Sequence, residues 1–248
     1  MIGQLRAELL KQHSTRTNLG LLGGMVGLVA VVILLHALNL PADKLGRGAA
    51  QLMVMGQGQR LGTLFAALLG AMAITVEFRH GTIRPTFLVT PRRGRVVAAK
   101  IGVSMLIGIA FGLIATAVAI GVESVALRAR GIELQLVGGD YAQLLFGSAA
   151  GAMLWAAIGV GLGAVARNQV PIMVGICTWL LFVEGLLFGD IGLSDYGRLL
   201  PGALAQAASG LDPQKQLLAP GLSLLLLALY AVAAGVAGWS AVSRRDVA

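Results

Sequence analysis

The sequence predicts an all-α membrane protein of six transmembrane helices, and three observations carry that prediction. The 248 residues are 57% hydrophobic and 12% charged, with a mean hydropathy of +0.83, whereas a soluble domain carries roughly 25% charged residues. The apolar residues gather in six runs, at about 19–38, 56–76, 101–122, 142–166, 170–188 and 220–242. Each is close to the roughly 20 residues that a helix needs to cross the hydrocarbon core. Barrel strands would instead show short segments of alternating polarity. The charges also divide by side. Residues 1–18, 77–100, 167–169 and 243–248 hold 12 of the 19 cations and 3 of the 11 acids. The positive-inside rule makes that side cytoplasmic, and an even number of spans requires both termini to share it.

In chain order, residues 1–18 come first. Ile2, Leu5 and Leu9 recur at helical spacing, with Arg6, Glu8 and Lys11 elsewhere on the wheel. This predicts an amphipathic helix in the membrane interface. The segment is too polar for a signal peptide. The first span ends near His36, expected at the outer interface. The second has the core LGTLFAALLGAMAITV and places Arg60 on the helix, snorkelling outward. The third is expected to end at an interfacial Glu123. The fourth carries GVGLG at 159–163, read as small-residue packing. The fifth contains Cys177, a single cysteine and so a small packing residue without a disulfide. It also holds Glu184, within WLLFVEGLLFGD, the one acid read as intramembrane. Such an acid is a candidate for the translocation path or for capping the segment that follows. Trp155, Trp179 and Trp239 read as packing or interface anchors. The whole chain, 1–248, reads as one transmembrane domain.

The stretch EFRHGTIRPTFLVTPRRGRVVAAK at 77–100 stands apart, with six of the chain's 19 cations. Gly81-Thr82 breaks the second helix, and Thr82 caps a short helix through IRPTFLV at 83–89. Thr90-Pro91 is a second helix start, with Thr at the N-cap and Pro in the first turn. The third span therefore begins below the membrane. A short helix presenting Phe87 and Leu88 among basic residues suits docking of a protein partner, in addition to the topogenic and headgroup-binding role of the cations.

This stretch resembles the loop between the second and third spans of type-two ABC exporter permeases. Glu77, Gly81, Thr82, Pro91, Arg92, Arg93 and Lys100 match positions of that pattern. The six-span order, the leading amphipathic helix and the long outer segment 189–219, with LLPGALAQAAS at 199–209, extend the resemblance over the chain. It implies that 77–100 is a coupling loop, with Glu77, Gly81, Thr82, Arg84, Pro85, Phe87, Leu88, Pro91, Arg92 and Arg93 serving the contact to an ATPase. It implies a partly re-entrant outer segment between spans five and six. The implied partners are a dimer of ABC ATP-binding subunits and a second permease copy or paralogue, within the lipid bilayer, with no nucleic acid. ATP and Mg belong to the ATPase and no cofactor to this chain.

Other functions find less in the residues. There is no GxxxxGK[ST] loop for ATP and no helical His-Glu-x-x-His set for zinc. No span pairs a Ser with a His or Lys base, so the chain reads as non-enzymatic. An ion-coupled secondary transporter or channel subunit is the alternative, with Glu184 its candidate residue. The nearly uncharged spans fit export of amphipathic or hydrophobic substrates: drugs, as in multidrug efflux, lipids or peptides. Arginine outnumbers lysine 15 to 4, a composition of GC-rich bacterial genomes, which places the chain in a bacterial cytoplasmic membrane.

Overall fold

The computed structural model describes residues 2–14, 16–83, 85, 93–189, 194–212 and 216–244. Among them, all regular structure is helical. A short helix α1 (Ile2–Ser14) precedes α2 (Arg16–Asn39), the one-turn α3 (Ala42–Leu45) and α4 (Gly48–Arg79). Then come α5 (Arg93–Ala129) and α6 (Gly138–Ala166). Helix α7 (Gln169–Thr178) continues through a π-helical stretch, Trp179–Val183, into α8 (Glu184–Gly189). The short α9 (Ser194–Gly197) and α10 (Pro201–Ala208) lead to α11 (Pro220–Arg244).

Among the described residues, six helical segments are long and apolar enough to cross a membrane: α2, α4, α5, α6, the continuous Gln169–Leu187, and α11. They fall on the six predicted runs, and the chain is a multi-pass membrane protein. Two run longer than their apolar cores. Helix α4 starts at Gly48, eight residues before the predicted run, and α5 continues to Ala129. Polar residues extend these helices because neighbouring helices bury them. Gln51 is fully buried, donating to the carbonyls of Leu45 (2.9 Å) and Glu133 (2.8 Å) and accepting from the Gln135 N–H (2.9 Å).

Helix α4 is the hub, packed against α2, α5, α6, α7 and α10. Its 18-residue apolar window is 83% buried, against 22% for α2 and α11. Small residues make this possible. A Cβ on Gly159 of α6 would run into the Ala67 carbonyl of α4, and one on Gly163 would sit 2.8 Å from the Ala71 carbonyl oxygen. Gly161, two residues away, turns to the opposite side and abuts Ala234 of α11. The GVGLG run thus packs two neighbours at once, with residues four apart on one face.

The segment before α11 does not skirt the surface. In α10, Gly202, Ala203, Leu204, Ala205, Ala207 and Ala208 are buried. Trp155 donates its indole N–H to the Pro201 carbonyl at 3.3 Å, while Gly147 lies against Ala208 and Ser209. From Gly138 to Trp155 is about 25 Å of helix at 1.5 Å per residue. The start of α10 therefore lies far from the end of α6 at which the chain enters.

Candidate functional site

Two polar constructions are set among the spans. The first lies at the basic end, where α1, the end of α4, the start of α5 and the end of α11 meet. Helix α4 stops because Gly81 takes a left-handed conformation (φ 68°), after His80 has closed the last turn onto Val76. This is the break predicted at Gly81-Thr82. Ile83 is buried and Pro85 exposed. Arg84, Phe87, Leu88, Pro91 and Arg92 lie outside the described residues, and with them most of the predicted short helix and the N-cap at Thr90. Helix α5 begins at Arg93, below its apolar run, as expected for the third span.

At this end is a cluster of four charges, three of them buried. Lys100 is 2% exposed and uses all three of its donors. Its Nζ reaches Glu8 Oε2 at 2.9 Å, Glu77 Oε1 at 2.8 Å and the Ala73 carbonyl at 3.0 Å. Lys11 adds a second ammonium at 2.8 Å from Glu77 Oε1 and 3.4 Å from Glu8 Oε1. Two acids and two bases balance, which is what makes burial of Glu8 and Glu77 tolerable. Partial burial disfavours the Lys11 ammonium, but its hydrogen bond to Glu77 and the charges of Glu77 and Glu8 outweigh this and raise its pKa above the ordinary lysine value. The cluster pins α1 to α4 and α5, and Leu5 packs on Gly102 of α5. Leu9 and Leu10 of α1 are exposed, as in a helix lying in lipid headgroups.

Sequence reasoning placed Glu77 and Lys100 in the loop pattern but did not pair them, and it left Glu8 on the polar face of α1. The available signal was Glu8 and Lys11, three apart on one helix face, beside an apolar stripe only three residues deep.

Several loop cations also have structural partners. Arg93 donates to the Val242 carbonyl at 3.1 Å and Arg167 to the Ala241 carbonyl at 2.7 Å, both at the C-terminal end of α11, where cations suit the helix dipole. The Arg167 guanidinium also stacks over Phe78, 5.4 Å from the ring centroid. Arg79 and Arg95 are exposed.

The second construction lies away from the basic loop. A cavity of about 550 Å³ is lined by Gln57, Gln59, Arg60 and Thr63 of α4, Glu184 of α8, and Gln206 of α10, among others. Arg60 snorkels as expected, but toward α10, donating to Gln206 Oε1 at 2.8 Å. Glu184 takes the capping position. Its Oε1 accepts from the Gly202 N–H at 2.9 Å and from the Trp179 indole at 2.6 Å, so a carboxylate meets the positive end of α10. A Cβ at 202 would collide with Glu184 Oε2, so this contact requires glycine there or displacement of the carboxylate. The π-helical stretch begins at Trp179 and ends just before Glu184, the two residues that make this contact.

Glu123 departs from its predicted place. It was expected at the interface, yet it is fully buried, because α5 continues to Ala129, leaving it about 9 Å from the helix end. Both carboxylate oxygens are buried without a hydrogen-bond partner among the described residues. Ile120, one turn before Glu123, packs on a buried cluster of Met55, Leu144 and Leu211. No group of three or more His, Cys, Asp or Glu residues suited to a metal occurs among the described residues. Comparison with known protein families and with curated proteins returns no match.

Proposed function

We propose that the chain is the membrane-spanning permease subunit of an ABC exporter, driven by a separate ATP-binding subunit. The observation that carries this reading is the charge cluster at the basic end. It joins α1, the end of α4 and the start of α5 through Lys100, Glu8, Glu77 and Lys11. Residues 80–92 connect the two helices so joined. A push on that loop would therefore be delivered to three helices as one body, not dissipated in a hinge. Such a rigid contact is what a coupling element needs in order to bias two arrangements of the spans. The burial of α10 among the spans supports a re-entrant outer segment, held by Glu184 at its N-terminus. ATP and Mg belong to the partner, and two permease chains, identical or paralogous, enclose the path for an amphipathic or hydrophobic substrate. The matching membrane is the bacterial cytoplasmic membrane, with both termini inside.

The test is co-purification. The permease is expressed with the ATP-binding subunit encoded beside it, and pulled down by a tag on the permease. The expected result is capture of the ATPase with measurable hydrolysis, lost when Phe87 and Leu88 are both changed to Asp. Equal capture by native and variant chains would overturn the coupling assignment.

A second reading, an ion-coupled secondary transporter, is favoured by Glu123, since a buried acid without a partner is a functional candidate by default. It requires uptake into proteoliposomes driven by an ion gradient with no ATPase present, abolished by Glu123→Gln.

A further inference from the structure

A second recess plays no part in the sites above. It is an open groove of about 880 Å³ between α5 and α11, floored by Leu154 and Ala157 of α6. One wall is Val97, Ala98, Ile101 and Met105 of α5; the other includes Ala228, Val232 and Val236 of α11. Apart from Arg95 and the Trp239 indole N–H, every side chain lining it is apolar or glycine, and no acid lines it.

Its length and its charge identify the occupant. On α5 the groove runs from Gly94 to Met105, and on α11 from Trp239 back to Ala228. Both stretches rise about 16 Å, half of a hydrocarbon core of about 30 Å, which is the depth of one leaflet. The basic end of the groove carries Arg95, exposed, and beside it Arg93, bonded to the Val242 carbonyl. Trp239, 51% exposed, lies edge-on to Gly94 at the same level, where an indole sits at a membrane interface. A slot one leaflet deep, apolar along its length and cationic only at its mouth, matches a lipid's tails and anionic head.

We propose that this groove holds one phospholipid with an anionic headgroup, its phosphate at Arg95 and its acyl chains along Ala98, Ile101, Val232 and Val236. The site lies across α5 from the charge cluster and α1, so it is independent of the coupling reading.

The experiment is native mass spectrometry of the purified full-length chain, released from detergent with phosphatidylglycerol or phosphatidylcholine of matched chains. The expected result is one retained phosphatidylglycerol per chain. Arg95→Gln should lower that retention about fivefold, the worth of one basic residue at an anionic surface. The same change should weaken phosphatidylcholine less, because its choline offsets the phosphate charge, and Arg128→Gln, an exposed cation at the other end of α5, should change neither. Ala98→Phe, which fills the groove from an exposed position, should abolish retention. Arg95→Gln guards against a misfolded Phe variant, since it alters no packing. Equal retention of both lipids by the native chain would overturn the proposal. So would phosphatidylglycerol retention that ignores both substitutions, or loss of a dimer in the Phe variant, which would make the groove an interface between copies.

Discussion

Replacing Lys100 with Met is the sharpest probe of the basic end. The substitution removes three hydrogen bonds, at 2.8, 2.9 and 3.0 Å, from an ammonium that is 2% exposed. It leaves Glu8 and Glu77, each 7% exposed, with only Lys11, whose side chain is 53% exposed. Breaking a buried pair by removing one partner costs about 3–5 kcal/mol. For a chain of this length about 2–4 °C of melting temperature accompany each kcal/mol, so the expected drop is roughly 6–20 °C. The assay is thermal unfolding in detergent, paired with thiol labelling of Leu5→Cys, which packs on Gly102 and should label faster once α1 is released. A triple variant, Glu8→Leu, Glu77→Leu and Lys100→Leu, should regain most of the lost stability, because apolar replacement of a buried ion cluster is close to neutral. If Lys100→Met melts within a degree of the native chain, or its effect adds to that of Glu77→Gln within about 0.5 kcal/mol, the cluster is not a mechanical joint.

The remaining predictions concern other parts of the chain. Because Lys11 has a raised pKa in the folded state, its contribution should be complete below its unfolded value of 10.5 and fall as pH rises through the folded value; thermal unfolding should therefore show no loss from this group between pH 6 and 9 and a decline only in stronger alkali. Gly202→Ala should expel the Glu184 carboxylate and cost about 1–3 kcal/mol for the buried groups left unmatched, with a change in the Trp179 emission; an unchanged spectrum and melting temperature would refute the cap. Gly159→Leu should block the approach of α6 to α4 and cost at least about 1–3 kcal/mol by overpacking, read as lost yield of monodisperse protein. Glu123→Leu should raise the melting temperature, since it removes a buried acid without a partner; a fall would show that Glu123 has a partner in the assembled protein.

How much was legible beforehand follows from the range of each interaction. The six spans could be placed because lipid acts on every residue by itself: composition over about 20 residues decides whether a segment crosses. Gly81 was legible as a helix stop because glycine enters left-handed backbone without the steric cost that a Cβ brings, a preference local to the residue. The role of Glu8 was hidden, because it depends on Lys100, 92 residues away in sequence. Glu123 illustrates the same limit from the other direction. Its local sequence, IGVESV, looks like the end of a span, and only the packing of α4 and α6 against it shows that the helix continues and the acid is enclosed.

The sequence by itself determined the solvent of this protein, the number and order of its spans, and the concentration of positive charge at one end, since each is a sum of independent residue preferences. Tertiary structure alone decided which charges meet. It joined Lys100 to two acids from separate helices, turned Glu184 onto the start of α10, and opened a groove one leaflet deep between α5 and α11. Those outcomes depend on which helix faces touch, and helix contact is set by shape complementarity across the whole bundle, a property that no local stretch of sequence carries.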